Sequence, residues 1–180
     1  MKLFVMRHGE TGWNKINRTQ GEFKSRLTKE GKEQTKLVAE KLKNEKIDLI
    51  ISSPLFRTMQ TANIVNKELN TKIVKDKMVA EIGQGIYAGR FKSSYTEEEL
   101  KRKKLRLKED GCESLQETFE RVGDFINKIK NNFPDKTILV VTHSIIGTLL
   151  DIYIKHGKFN NDIYNQSSAF PNSEVRLYNI

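Results

Sequence analysis

Two of the chain's three histidines, His8 and His143, stand just past the ends of short apolar runs. His8 follows Leu3-Phe4-Val5-Met6-Arg7, and His143 follows Ile138-Leu139-Val140-Val141-Thr142. A third apolar run, Ile47 to Ile51, ends at Ser52 and leads through Ser53-Pro54-Leu55-Phe56 to Arg57. A histidine alone at such a place is more often a structural residue. Two histidines with Arg7 and Arg57 at the same kind of junction form a convergent basic pocket, which is costly to build without an anion to fill it. The chemistry these side chains suit is phosphoryl transfer. Guanidinium forks match phosphate oxygens, and a neutral imidazole can attack phosphorus to give a covalent phosphohistidine. The transition state is loose, so positioning and positive charge supply most of the catalysis. A departing alkoxide also needs a proton, which calls for a carboxylic acid nearby.

The elements that must position these residues alternate between strand and helix periods. Strands are expected at 2–6, from Ile47 to Ser52, at 72–77, at 137–142 and at 174–178. Thr28 is a helix N-cap for a helix running to Lys43 with Leu37, Val38 and Leu42 on one face. Pro54 sits where a first helical turn tolerates it, and Leu55, Met59, Ala62, Val65 and Leu69 then form a stripe. Ser114 to Phe133 is the clearest amphipathic helix, and another follows from Ser144 to about Lys155. Buried strands alternating with helices imply a parallel sheet between helical layers. Sites in such sheets form beyond the carboxyl ends of the strands, where the junctions at His8, Ser52 and His143 lie.

At 180 residues the chain is expected to be one domain, residues 1–180. A single cysteine, Cys112, excludes a disulfide framework and a cysteine zinc site. Lys and Arg number 32 against 23 Asp and Glu, a net charge of +9 that favours anionic partners. The N-terminal apolar run is too short for a signal peptide, and no run approaches the length of a membrane span, so a cytoplasmic protein without a membrane partner is expected.

The residues also resemble a known family. Arg7-His8-Gly9-Glu10-Thr11, with Trp13 and Asn14 behind it, resembles the Arg-His-Gly signature of the histidine phosphatase (phosphoglycerate mutase-like) superfamily. Ser52-Ser53-Pro54-Leu55-Phe56-Arg57 is similar to its second motif. Glu81 with Gly85 and Gly89 is similar to its acid-bearing loop, Gly111-Cys112-Glu113-Ser114 to its Gly-Glu-Ser turn, and Val140-Val141-Thr142-His143 to its second histidine motif. The order of the five matches carries the resemblance. It implies a three-layer α/β/α sandwich around a mostly parallel sheet, with a small helical cap at about 90–110. It implies His8 as nucleophile, with Arg7, Arg57 and His143 holding the phosphoryl oxygens. Glu81 would be proton donor and then the base that activates water. Asn14, Gln20, Gly21 and Ser144 fall at positions of phosphate or substrate contact. No metal or organic cofactor is implied.

Three departures bear on pocket detail: Glu22 follows Gly21, Ala88 precedes Gly89, and Ser144 follows His143. Hydrolysis of a small phosphorylated substrate is favoured over mutase activity. Mutase-type relatives carry Arg directly after the acid and Tyr three residues after it, where this chain has Ile82 and Gln84. A basic binding protein that has lost activity is the rival of another class, opposed by the intact set of Arg7, His8, Arg57, Glu81 and His143. Gly83-Gln84-Gly85-Ile86-Tyr87-Ala88 fits a dinucleotide pattern without the required strand and long helix. The tract Glu97–Asp110, acidic and then basic, is either a solvated helix or part of a cap whose cations attract a second anionic group on the substrate. It has no interleaved aromatics for stacking on bases, so no nucleic acid is expected as partner.

Overall fold

A computed structural model describes all residues 1–180. Five strands form one sheet in the order β3-β2-β4-β1-β5. They are β1 (Lys2–Arg7), β2 (Leu49–Ser52), β3 (Lys72–Lys75), β4 (Thr137–Thr142) and β5 (Val175–Asn179). The first four are mutually parallel, and β5 runs antiparallel to β1 at the edge. Alternate side chains of each strand enter opposite layers. Phe4, Met6, Ile50, Leu139 and Val141 pack with Ala39, Leu42, Ala62 and Val65 from α2 (Lys29–Leu42) and α3 (Phe56–Leu69). Leu3, Val5, Ile51, Ile138 and Val140 face the other way. They meet α5 (Leu115–Asn132) and α6 (Ser144–His156) through Val122, Phe125, Ile126, Leu149 and Leu150. Strands buried on both faces read as continuous apolar runs, which is why they were legible in the sequence.

The helix boundaries follow local chemistry. Thr28 caps α2 by accepting from Gly31 N, and Ser114 with Glu117 forms a capping box on α5. Gly157, at φ +64°, ends α6 behind Lys155 and His156.

Three expectations need correction. Leu37 is 66% exposed. Leu37 and Leu42 are five residues apart in sequence, hence about 140° apart around a helix, and Thr35, Ala39 and Leu42 form the buried side. Pro54 precedes α3 instead of entering its first turn, because Leu55, with extended backbone, takes the N-cap. The strand expected over 72–77 ends at Lys75. The Asp76 side chain accepts from Met78 N and turns residues 77–79 into a single 3-10 turn. Two short helices, α1 (Gly12–Lys15) and α7 (Asn161–Gln166), have too few turns to leave a periodic signal.

The register aligns Arg7 with Thr142 and Ser52 with Val141. The carboxyl ends of β1, β4 and β2 therefore lie side by side, and the three junctions converge on one edge. Between β3 and α5 the chain forms α4 (Glu97–Leu105) and several 3-10 turns.

Candidate active site

His8 leaves β1 with its backbone held on two sides. Its N–H donates to Thr142 O at 3.0 Å, and its carbonyl accepts from Ser173 N and Asn172 Nδ2. Gly9 must be glycine here, since a Cβ would lie 2.6 Å from Gly31 O and Thr35 Oγ1. His8 Nδ1 lies 2.8 Å from Gly9 O. A carbonyl only accepts, so the proton sits on Nδ1 and Nε2 keeps its lone pair. Arg57 Nε donates to that lone pair at 3.2 Å.

Arg57, from the first turn of α3, is 1% exposed. It also donates to Gly21 O at 2.8 Å and Phe23 O at 3.3 Å. Burial, opposed by Glu81, brings its pKa down to about 10, with Arg7 adding to the fall and Glu22 resisting it. It stays charged at neutral pH. Arg7 Nη1 donates to Phe170 O at 2.6 Å, and Ser144 Oγ donates to the same carbonyl. His143, fully buried, has Nε2 2.8 Å from Ser53 Oγ and its ring centroid 5.3 Å from that of His8.

Burial, reinforced by Arg57 and other nearby cations, holds both histidines well below the usual imidazole pKa. The basic pocket expected from two arginines and two histidines therefore draws its charge from the arginines alone. Neutral His8 is the form that can act as a nucleophile. Two buried side-chain nitrogens have no hydrogen-bond partner, Arg7 Nε and His143 Nδ1. Each orphan costs about 1–3 kcal/mol; Arg7 Nε calls for an acceptor, and His143 Nδ1 calls for one in the tautomer whose Nε2 accepts from Ser53 Oγ. Helices α3 and α6 begin at this edge without side-chain caps, so the positive ends of two helix dipoles add to the field.

Glu81 Oε2 lies 3.9 Å from His143 Nδ1. Its carboxyl, 13% exposed, is pushed up by burial against the opposing pull of Arg57, a hydrogen bond from Ile82 N, Arg7 and Arg106. The loop that carries it is held from three elements. Thr142 Oγ1 donates to Val79 O. Arg121 on α5 donates to Met78 O at 2.7 Å and Ala80 O at 3.2 Å and grips Glu113 with two nitrogens. Glu113 in turn accepts from Gly83 N, while Arg106 donates to Gly83 O and Glu113 O. Arg121 was not singled out in the sequence, and Arg106 only as one cation of the 97–110 tract, because tertiary contact alone gives them partners. Asn172 and the Phe170 carbonyl come from the return to β5, which carries no motif.

The residues at expected contact positions gather at the same edge. Asn14 Oδ1 accepts from Thr11 N and lies near Asn172 Nδ2, and Thr11 Oγ1 lies 3.1 Å from Gln20 Oε1. Gly21, at φ +51°, presents its carbonyl to Arg57. Ser144 opens α6.

The basic tract, expected either as a solvated helix or as a cap whose cations attract substrate, is divided by its contacts. Arg102 pairs with Glu109 and Asp110, Lys103 donates to Thr19 Oγ1 over the Tyr95 ring, and Lys108 pairs with Glu117. Arg106 holds the acid loop. Lys101 and Lys104 are left exposed. Lys103 and Arg106 fasten the segment to the rest of the protein, Arg102 ties it to itself, and Lys108 keeps its exposure while pairing with Glu117.

The profile of the histidine phosphatase superfamily, branch 1, matches residues 3–161. Phosphoserine phosphatase 1 of Hydrogenobacter thermophilus is 32% identical over 151 residues, 81% of this chain and 72% of that protein. A probable phosphoglycerate mutase GpmB of Photorhabdus laumondii is 33% identical over 165 residues, 84% and 76% of the two chains. The solved structure of Bacillus stearothermophilus YhfR superposes with a TM-score of 0.88 at 22% identity, covering 98% of this chain and 89% of that one. No helix is long and apolar enough to cross a membrane. With the matched profile spanning the sheet edge where His8, Arg57 and His143 meet, the chain belongs to the histidine phosphatase superfamily.

Proposed function

We propose that this protein hydrolyses small phosphomonoesters through a covalent phosphohistidine on His8. The observation that carries the reading is the His8 tautomer: Nδ1 is pinned to Gly9 O, so the Nε2 lone pair faces Arg57. In this reading residues 1–180 act as one catalytic domain, with residues 90–110 as its cap. Arg7, Arg57 and His143 hold the phosphoryl oxygens. The Arg57–His8 bond breaks as the guanidinium turns to an oxygen, and Arg7 Nε and His143 Nδ1 gain the acceptor they lack. Gly21 acts through Arg57, and Ser144 sets the start of α6 beside the phosphate. The amide nitrogens of Asn14 and Gln20 supply further donors.

His8 Nε2 attacks phosphorus and the bond to the ester oxygen breaks. The Glu81 carboxyl gives its proton to that oxygen, so a neutral alcohol leaves. A water then enters, the Glu81 carboxylate takes one of its protons, and the hydroxide attacks phosphorus. His8 departs with its lone pair restored, and inorganic phosphate is released. Burial that raises the Glu81 pKa, against the pull of Arg57, suits the first half of this cycle.

Two features favour hydrolysis over a mutase reaction. Ile82 is fully buried, and the Gln84 side chain packs beside Gly21. Neither offers the Arg or Tyr of the mutase-type pattern. The similarity to a protein named phosphoserine phosphatase points the same way, while the GpmB similarity keeps the mutase as the alternative to exclude. The test is to trap the intermediate from a radiolabelled phosphomonoester. The adduct should be acid-labile and base-stable, as a phosphoramidate is, and His8→Ala should lose adduct and turnover together. Full activity in that variant would refute the mechanism.

A further inference from the structure

Glu81 lines a cleft of about 570 Å³. Its floor is Pro54 and Leu55, and its charged walls are Glu22, Lys77 and the Glu113–Arg121 pair. Glu113 and Arg121 satisfy each other and the acid loop. Glu22 and Lys77 are exposed side chains of opposite sign that contribute to the cleft with no ion-pair partner in the protein. Glu22 follows Gly21, whose carbonyl Arg57 holds, and its charge reaches the Arg57 guanidinium. The Glu22 carboxylate thus lines the same cleft as Glu81 and lies within electrostatic reach of Arg57.

We infer that Glu22 selects phosphomonoesters whose leaving alcohol carries an ammonium group, and that Lys77 receives a carboxylate on the same alcohol. The inference rests on the hydrolytic reading above and names the substrate class for it. A short alkyl chain suits the Pro54 and Leu55 floor. An ammonium neutralises Glu22, which otherwise repels the incoming phosphate. A purely anionic leaving group meets Glu22 and Glu113 with Lys77 as the one unpaired cation of the cleft, which no residue of the 101–108 tract lines. Glu22 is also one of the positions where this chain departs from the family pattern.

The experiment compares kcat/KM for O-phosphoethanolamine, O-phosphoserine, 2-phosphoglycolate and ethyl phosphate. Wild-type protein should favour the two ammonium-bearing esters over both ethyl phosphate and phosphoglycolate. Glu22→Gln should lower the phosphoethanolamine to ethyl phosphate ratio about fivefold, the worth of a partly exposed ion pair. Glu22→Lys should reverse the preference between phosphoethanolamine and phosphoglycolate. Lys77→Met should lower the phosphoserine to phosphoethanolamine ratio. Ratios that ignore both Glu22 substitutions, or a wild-type preference for phosphoglycolate, would overturn the substrate assignment while hydrolysis of ethyl phosphate leaves the phosphatase reading standing. Release of phosphate from none of the four would overturn both.

Discussion

Arg121 makes no hydrogen bond to Arg7, His8, Arg57 or His143, yet it braces the loop that carries Glu81. Its guanidinium spans Glu113 and the carbonyls of Met78 and Ala80, so Arg121→Met releases both ends of the acid loop at once. A hydrogen bond to a charged group contributes about 1.5–3 kcal/mol. The Arg121 and Glu113 side chains are 23% and 28% exposed, so solvent screening places this pair toward the low end. The two freed carbonyls and the uncompensated Glu113 add to the loss, giving about 2–4 kcal/mol in all. For a chain of this size that lowers Tm by roughly 4–15 °C.

The kinetic effect is separable from the thermal one. An acid displaced by about 1 Å loses up to about 10²-fold in rate. The loss falls on leaving groups that need a proton, so burst-phase phosphorylation of His8 by alkyl phosphates should slow about 10²-fold. The same step with nitrophenyl phosphate should slow less than about tenfold, because nitrophenolate departs with little help. Thermal unfolding and rapid-mixing release of the alcohol, measured well below the variant's Tm, supply both numbers. Arg121→Lys keeps the charge without the fork and should fall between. An unchanged Tm, or equal slowing for both leaving groups, would refute the positioning role of Arg121.

Glu81→Gln should slow phosphorylation of His8 by alkyl phosphates about 10²–10⁴-fold and by nitrophenyl phosphate much less; an equal loss would assign Glu81 to binding. Inorganic phosphate should raise Tm by pairing Arg7 Nε and His143 Nδ1, and Arg7→Met should remove most of that rise; an undiminished rise would place the anion elsewhere. Burial and the nearby arginines depress the His8 and His143 pKa values below 6.5 in the folded protein. The unfolded chain therefore binds more protons as pH falls below about 6.5, and stability present above that pH is lost on the way down. Glu81 is shifted upward from 4.5, so the stability it contributes below that pH is lost as pH rises through its folded value. Replacing both histidines with Asn should flatten the acid limb of a Tm-against-pH curve, and Glu81→Gln should raise Tm above that range. An acid limb unchanged in the double variant would contradict the assigned shifts.

Local rules settled much of this protein before any contact was known. Buried strands announce themselves as apolar runs, Thr28 and Ser114 announce helix starts, and a parallel sheet collects its junctions at one edge. His8, Arg57 and His143 could therefore be placed together from sequence. The tautomer of His8 could not, because it depends on how the backbone folds Gly9 O back onto Nδ1. Nor could the neutrality of both histidines, which follows from burial and from Arg57, a residue distant in sequence. Leu37 shows that composition cannot choose between helix faces when apolar residues lie on both. The cations of 101–108 looked like one basic surface, and tertiary structure divided them. Arg102, Lys103 and Arg106 found acceptors within the fold, while Lys101, Lys104 and Lys108 stayed exposed, Lys108 in a surface pair with Glu117. The elements and the candidate site residues are encoded locally, by periodicity and side-chain type. Protonation, the support of Glu81 and the charges left unpaired in the cleft arise only where segments far apart in the chain come into contact.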